Sequence, residues 1–252
     1  MKLFGYTLLL LAVLQSCSVK EYKSSSSPIQ HGLWDSLMQT HVSETGIVDY
    51  NGLKKDSVRL NKYIELLSSA HPNKKNWSRD EQLAYWINAY NAFTAKIMVD
   101  NYPIASIRDI KNGIPFINSV WDIKFINIEG ANYDLNNLEH GIVRPMYNEP
   151  RAHFALNCAS YSCPRLRNEA YTAAKLESQL VDQTKYFLTN ERKNIIKDSK
   201  SAELSKLFSW YSGDFKVDGK TVIEFINQYS EIQLDKDADI SYLDYLWHAN
   251  DQ

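Results

Sequence analysis

The sequence has 252 residues and a formal net charge of −2 at pH 7, with charged residues of both signs interspersed along it. This balance leaves no basic surface of the kind that nucleic-acid-binding domains need, so we expect no nucleic acid among its partners. Sixteen tyrosines and six tryptophans suit amphipathic binding surfaces, although composition alone favours half-buried packing.

The N-terminus predicts a secretory signal peptide over residues 1–16. Lys2 supplies a positive charge, and the apolar run that follows it is about 12 residues long, short of the ~20 that a membrane-spanning helix needs. The run ends in LQSC, which is similar to the lipobox of bacterial lipoproteins, whose cysteine becomes the lipidated first residue. We therefore expect a lipid on Cys17 to anchor the protein in the bacterial cell envelope, on the periplasmic or surface side of the outer membrane. Ordinary cleavage with an incidental Cys17, or a cytoplasmic chain with an apolar start, are the alternatives.

Residues 17–27 are polar and rich in serine, which predicts a tether between the lipid and the folded part of the protein. Residues 28–252 are within the range of one large globular domain and suffice for a substantial hydrophobic core. No later segment is apolar enough to cross a bilayer as a helix, so the lipid on Cys17 is the predicted membrane contact.

Helical spacing of apolar residues predicts the first elements of the domain, over about 29–42 and 56–70. The strongest helix is predicted over 78–101. Ser78 and Glu81 form a capping box at its start, which satisfies backbone donors that the first turn leaves free.

Two asparagines, Asn88 and Asn91, share one face of this long helix beside its apolar stripe. Asparagine is a poor helix former, so its presence at both positions calls for a specific reason. We expect the two amides to make buried hydrogen bonds to a loop or to support a site. Two solvated side chains are the alternative.

The middle of the chain predicts a hairpin, a short helix and a strand. SVWDIKFINIEGANYDL alternates and turns at Gly130, as β-hairpins do. NLEHGIVRP is predicted to be a short helix that ends near Arg144, because Pro145 restricts the residue before it. RAHFALN is interpreted as a buried strand with His153 and Asn157 on one face.

The C-terminal third predicts more helices and one short strand. TAAKLESQLVDQTKYFLTN has the period of an amphipathic helix, and NIIKD is predicted to be a strand. SKLFSWY, TVIEFINQYS and ISYLDYLWHAN are predicted to be helical. The whole pattern predicts an α+β fold, a helix-rich single domain packed on a small antiparallel sheet.

Candidate chemistry is confined to the window between Glu139 and Cys163. The sequence has no phosphate-binding glycine loop, no H-E-x-x-H zinc motif and no G-x-S-x-G elbow, and we expect no cofactor. A thiol hydrolase needs a cysteine, a histidine to activate it and a group that orients the histidine. Cys158 follows the predicted strand, and His140 and His153 precede it within reach.

The two cysteines of this window have two other interpretations. If Cys17 carries a lipid, Cys158 and Cys163 are an even pair in an oxidising compartment and can form a disulfide. Alternatively, the two cysteines could bind zinc together with His140 and His153, although C-x4-C is at the edge of common ligand spacings. The residues alone leave the three interpretations open.

Several segments together resemble one family. AYWINAYNA, YDLNNLEHGIVRP, RAHFALNCASYSCPRL, LSKLFSWYSGDF and YLDYLWHAN occur in the order found in domain-of-unknown-function family 547, which includes bacterial secreted and lipid-anchored proteins. The resemblance runs from about Trp77 to Asn250. The usual tail of the family resembles YDWSLN, and here Leu246 and His248 depart from it.

The resemblance implies a cysteine peptidase in which the histidine precedes the cysteine, as in permuted papain-like folds. Carried onto this chain, it implies that Cys158 is the nucleophile, His140 the base and Glu139 the third member, with a peptide or protein as substrate. Neighbours on a helix project about 100° apart, so Glu139 does not orient His140 by sequence adjacency alone. The alternative function is a non-catalytic surface lipoprotein with a structural Cys158–Cys163 disulfide.

Overall fold

The structure is a computed structural model that describes residues 19, 22–111 and 119–251. The predicted signal peptide and Cys17 lie outside these residues. Residues 22–27, at the end of the predicted tether, lie against the domain. The Ser26 carbonyl accepts hydrogen bonds from the Trp77 indole and the Asn73 amide, each at 2.9 Å. This part of the serine segment is therefore in contact with the folded protein.

The N-terminal half is a bundle of four helices. They are α1 (Gly32–His41), α2 (Tyr50–Lys55), α3 (Ser57–Ser68) and α4 (Arg79–Asn101). α4 is buried on almost every side, as is expected of a helix surrounded by others. The predicted capping box of Ser78 and Glu81 is confirmed, with the Glu81 N–H donating to the Ser78 hydroxyl at 3.2 Å.

The predicted hairpin follows the bundle. β1 (Ile126–Ile128) pairs antiparallel with β2 (Ala131–Tyr133). Glu129 and Gly130 form the turn, with φ of 48° and 84°. Positive φ at both central residues is the geometry that matches the twist of a two-residue hairpin. The prediction of a turn at Gly130 is confirmed.

The next helix differs from the prediction. A π-helical segment, Asn137–Val143, runs directly into α5 (Arg144–Tyr147), so the helix continues past Arg144. Pro145 lies at the junction of the π segment and α5, and the helical backbone passes through it to Tyr147. The Arg144 N–H donates to the Glu139 carbonyl, five residues back, and such π segments are frequent at functional sites.

The strand predicted over 151–157 is wrong. Pro150–Phe154 is a 3-10 helix, which begins at a proline and is capped by the Glu149 carboxylate. Its turn geometry places His153 and Phe154 both in the interior, whereas a strand would direct them to opposite faces. Cys158 therefore follows an irregular buried segment.

The C-terminal region contains three helices and a small sheet. The elements are α6 (Leu176–Thr189), β3 (Ile195–Ile196), β4 (Ser201–Leu204), α7 (Leu207–Trp210), the 3-10 segment Asp214–Gly219, α8 (Val222–Asn227) and β5 (Asp239–Tyr242). β4 lies between an antiparallel β3 and a parallel β5. Among the predicted elements, the helices in 205–211 and 221–230 and the strand in NIIKD are confirmed.

The helix predicted over ISYLDYLWHAN is wrong, because β5 and an extended tail occupy this segment. Alternate tail residues, Leu243, Tyr245, Trp247 and Ala249, are the less exposed ones, which is the period of two of an extended chain. The tail bonds to the rest of the domain through its main chain, for example from the Tyr161 N–H to the His248 carbonyl at 2.8 Å.

The predicted fold class, a helix-rich α+β domain with small sheets, is confirmed. One hydrophobic core surrounds α4, and a second, rich in phenylalanine, surrounds Phe154 and Phe208. A papain-like arrangement stays a prediction. Within the residues placed by the structure, no helix is long and apolar enough to span a membrane.

Candidate functional site beside the Cys158–Cys163 disulfide

A cavity of about 300 Å³ brings together most of the predicted site residues. Its wall is formed by Tyr90, Trp121, Asn136, Glu139, His140, His153, Leu156, Cys158, Cys163, Pro164, Leu207, Trp210, Tyr211, Tyr245 and Trp247. These side chains come from α4, the π segment, the cysteine loop, α7 and the tail, so residues distant in sequence meet here.

A larger cavity, of about 650 Å³, lies on the other side of His140. Lys23, Lys74 and Lys75 line it, and all three are exposed at the surface. The smaller cavity contains the buried carboxylate, the histidines and the cysteines that sequence patterns singled out, so it is the better candidate for a functional site.

Cys158 and Cys163 form a disulfide in the wall of the smaller cavity, with their Cα atoms 6.0 Å apart. The Cys158 N–H donates to the Cys163 sulfur at 2.8 Å. The Ser160 and Tyr245 hydroxyls lie 3.2 Å and 3.3 Å from the Cys158 sulfur. Of the three interpretations of the cysteines, this geometry corresponds to the disulfide. A sulfur in a disulfide is not a thiolate, so nucleophilic attack by Cys158 requires reduction first.

The two asparagines of α4 bond to buried main chain, as expected. Asn91 donates to the Ala155 carbonyl at 2.9 Å and accepts from the Asn157 N–H at 2.8 Å. Asn88 forms the same two-way pair with the main chain of Tyr171, at 2.7 Å and 3.0 Å. Neither asparagine lines the cavity. Asn91 lies behind the cavity wall and fixes the segment that leads into Cys158.

Asp214, which was not singled out from the sequence, organises the polar side of the site. It accepts a hydrogen bond from Nε2 of His153 at 2.7 Å and two from the Arg144 guanidinium, at 2.5 Å and 3.0 Å. Burial alone would raise the pKa of Asp214, but the hydrogen bonds and charges of His153 and Arg144 outweigh it and hold this pKa well below its usual range. Asp214 lies in LSKLFSWYSGDF, one of the segments that carry the family resemblance, and that was the signal that could have found it.

Arg144 also contacts His140, at 2.8 Å from Nη1 to Nδ1. A guanidinium has only donors, so Nδ1 accepts and the neutral ring carries its proton on Nε2. Burial lowers the pKa of His140; the Glu139 charge opposes this, and the Arg144 and His153 charges add to it. The ring is therefore held as a neutral hydrogen-bond donor. In this arrangement Arg144, rather than Glu139, orients His140.

His153 is buried and stacks on Tyr211, with ring centroids 4.1 Å apart. Its Nε2 is occupied by Asp214, so the ring fixes Asp214 and Tyr211 in place. With Nε2 bonded to Asp214, a role of His153 as the base for Cys158 would fall to Nδ1. For both histidines, the base role stays a prediction.

Glu139 is a buried carboxylate on the π segment, with 8% of its surface exposed. Its charge contributes to raising the pKa of three tyrosines that surround it, Tyr90, Tyr211 and Tyr245, for each of which burial is the larger cause. Throughout the described ranges, no salt bridge includes Glu139.

The opposite wall of the cavity is aromatic. Trp210 packs against Tyr245 at 4.9 Å between ring centroids, Tyr245 against Trp247 at 4.7 Å, and Trp247 against Trp121 at 5.6 Å. Two of these rings belong to the extended tail. The alternation of Leu243, Tyr245, Trp247 and Ala249 was the signal that could have placed the tail in the site.

The polar groups of the site do not form a metal centre. In the part of the chain that the structure describes, no group of three or more His, Cys, Asp or Glu side chains is arranged to hold a metal ion. The zinc interpretation therefore has no geometric support among these residues.

The fold and the site define a helix-rich α+β domain with an aromatic-lined cavity beside a disulfide. Residues 74–188 match the model of a family described as "Protein of unknown function, DUF547", which supports the assignment of this segment to that domain family. The matched segment includes Glu139, His140 and Cys158 but neither Asp214 nor the tail, and it is shorter than the resemblance over Trp77–Asn250. No curated protein and no solved structure matches the chain.

Proposed function

We propose that the cavity beside the disulfide binds a small ligand and that the protein is a binding protein of the bacterial cell envelope. The observation that carries this proposal is the composition of the cavity wall, which is largely aromatic with a few polar groups aimed inward. Glu139, His140 and the Tyr245 hydroxyl are positioned to fix the orientation of a ligand. The Cys158–Cys163 disulfide acts as a structural support of the wall.

The location in the envelope rests on the N-terminal sequence. LQSC at the end of an apolar run supports export and a lipid on Cys17, and the paired state of Cys158 and Cys163 fits an oxidising compartment. Phase partition in Triton X-114 after expression in a bacterium tests this. We expect the wild-type protein in the detergent phase and Cys17→Ser in the aqueous phase, and equal partition would contradict the anchor.

Ligand binding is tested with a fragment library and saturation-transfer NMR. Trp210→Ala removes a ring of the cavity wall that is 48% exposed, and Tyr242→Ala removes a ring of similar exposure, 43%, outside it. We expect Trp210→Ala to lose most wild-type hits and Tyr242→Ala to keep them. Absence of hits, or equal hits in both variants, would show that the cavity is not a binding site.

A second function, a cysteine hydrolase, is favoured by one specific observation. Cys158 lies in the same cavity wall as Glu139 and His140. A dithiol would reduce the disulfide to two thiols with two electrons and two protons. The Cys158 thiolate would then attack the carbonyl carbon of a peptide, expel the amine and form a thioester, which water hydrolyses. His140 and Glu139 are the acid–base groups of this proposal, and the substrate is a peptide or protein.

Two cysteine variants separate this function from simple binding. Cys158→Ala and Cys163→Ala both lack the disulfide, so they are matched in stability. A hydrolase predicts that Cys163→Ala cleaves peptide substrates without reductant and that Cys158→Ala does not cleave them at all. Equal activity of the two variants, or no activity in reduced wild-type protein, would rule out Cys158 as nucleophile.

A further inference from the structure

Glu139 is a buried carboxylate in the wall of the cavity. With 8% of its surface exposed, it contributes to the cavity wall, and no salt bridge between residues of the described ranges includes it. Its charge acts on Arg144, and on Tyr211 and Tyr245, whose hydroxyls burial keeps neutral. A buried carboxylate that forms no salt bridge is costly, so a cationic ligand beside Glu139 would stabilise the site.

The rest of the wall suits a cation. Trp121, Trp210, Tyr245 and Trp247 form a continuous aromatic surface, with neighbouring centroids 4.7–5.6 Å apart. The faces of such rings are negative and attract ammonium groups. They line the same cavity as the Glu139 carboxylate, so an organic cation would find ring faces and a negative charge together.

The described part of the cavity wall offers Glu139 no cation of its own. Among the described residues that line the cavity there is no lysine or arginine. The nearby Arg144 is occupied by Asp214 and His140, and His153 is paired with Asp214. His140 is held neutral by burial and by Arg144. Because the single charge of Arg144 is shared between Asp214 and Glu139, these three groups keep a net negative charge that a ligand cation would balance.

We propose that the cavity binds the ammonium group of a small organic amine, with Glu139 as counter-ion and Trp210, Tyr245 and Trp247 as the cage. This rests on the proposed ligand-binding function and narrows it to one chemical class. A volume of about 300 Å³ admits a compact headgroup, such as a trimethylammonium group or the terminal ammonium of a peptide.

Isothermal titration calorimetry with two isosteres tests the proposal on the full-length protein. Choline and 3,3-dimethylbutan-1-ol have the same shape, but the second has a carbon in place of the charged nitrogen. We expect choline to bind at least about tenfold more tightly, the size of a desolvated cation–π contact combined with an ion pair. Alanyl-alanine compared with its N-acetyl form tests the peptide ammonium as the source of the cation. Binding of either cation above its neutral counterpart supports the proposal.

Glu139→Gln keeps the shape of the side chain and removes its charge. We expect it to weaken the preferred cation at least about tenfold and to leave the neutral isostere unchanged. Glu203→Gln, at an exposed site on β4, is the matched control and should bind like the wild type. If Glu139→Gln does not fold, Trp210→Leu at its half-exposed position replaces it, with the same expected loss for the cation.

The outcomes of this experiment distinguish recognition of a cation from ligand binding by the cavity in general. Equal binding of choline and its neutral isostere would overturn cation recognition while leaving ligand binding intact. Failure of every cationic probe would also overturn it, and the fragment screen would still report whether the cavity binds anything. If Glu139→Gln still binds the cation more tightly than the neutral isostere, a group other than Glu139 is the counter-ion.

Discussion

The Arg144 guanidinium donates to Nδ1 of His140 at 2.8 Å, while its other nitrogens bond to Asp214. This contact fixes a proton on Nε2 of His140, so the neutral ring can act as a hydrogen-bond donor. It connects the polar network behind the cavity to the groups that face a ligand, so Arg144 is the residue whose loss should have the widest effect.

We expect Arg144→Met to destabilise the protein by ~2 kcal/mol, because it leaves a half-buried Asp214 without its main cation. The pKa of His140 should also rise toward its ordinary value, because a neighbouring positive charge is removed. Urea unfolding and a histidine NMR titration measure the two effects. Lys206→Met, at an exposed ion pair with Asp244, is the control and should cost less than ~1 kcal/mol. Equal costs would contradict the role of Arg144.

Asp214 predicts a specific dependence of stability on pH. Because its pKa is lower in the folded protein than in the unfolded chain, it stabilises the fold fully above the unfolded value of ~3.9. Its contribution falls as the pH drops below that value, where the unfolded chain takes up the proton first. Urea unfolding should therefore show a larger difference between wild type and Asp214→Asn at pH 7 than at pH 3. A difference independent of pH would mean that Asp214 is not held ionised by its partners.

The disulfide closes a short loop, so its removal should cost ~2 kcal/mol. We expect a reductant to lower the free energy of unfolding of the wild type by this amount and to leave Cys163→Ala unchanged. Thermal or urea unfolding with and without a dithiol measures it. A reductant effect of the same size in Cys163→Ala would show that the thiol pair is not its target.

Asn91 and Asn88 form a matched pair for separating stability from function. Replacing either by Ala leaves one buried main-chain N–H and one carbonyl unsatisfied, which should cost ~2–3 kcal/mol. Only Asn91→Ala should also weaken binding of a cavity ligand, because Asn91 fixes the segment before Cys158. Calorimetric titration of both variants below their unfolding temperature tests this, and equal weakening would assign Asn91 a purely structural role.

Local rules explain which elements could be predicted. The Ser78 capping box and the turn at Gly130 depend on neighbours in sequence, and both were predicted correctly. The segment before Cys158 has an apolar alternation that suits a strand, but Pro150 and buried contacts with α6 favour a 3-10 helix. The tail has helix-compatible residues, yet pairing with β4 makes it extended.

Prediction of the site is limited in the same way, by contacts between residues that are distant in sequence. Glu139, His140, His153, Cys158 and Cys163 were identified because their residue types bear chemistry, and the cavity brings all five together. Asp214 and the tail aromatics were missed because only the tertiary fold brings them next to the cysteine loop. Contacts across more than 50 residues, such as His153 with Asp214, have no signature in a single sequence.

The tail contacts residues near the start of the domain, which are synthesised long before it. Asn250 accepts a hydrogen bond from the Tyr50 hydroxyl at 2.8 Å, and its carbonyl accepts one from the Val48 N–H at 2.9 Å. Tyr245 and Trp247, just before it, complete the cavity wall. The cavity therefore cannot exist on a nascent chain until the tail has left the ribosome and docked. A ligand bound in the cavity would therefore show that the tail has docked onto the N-terminal part of the domain.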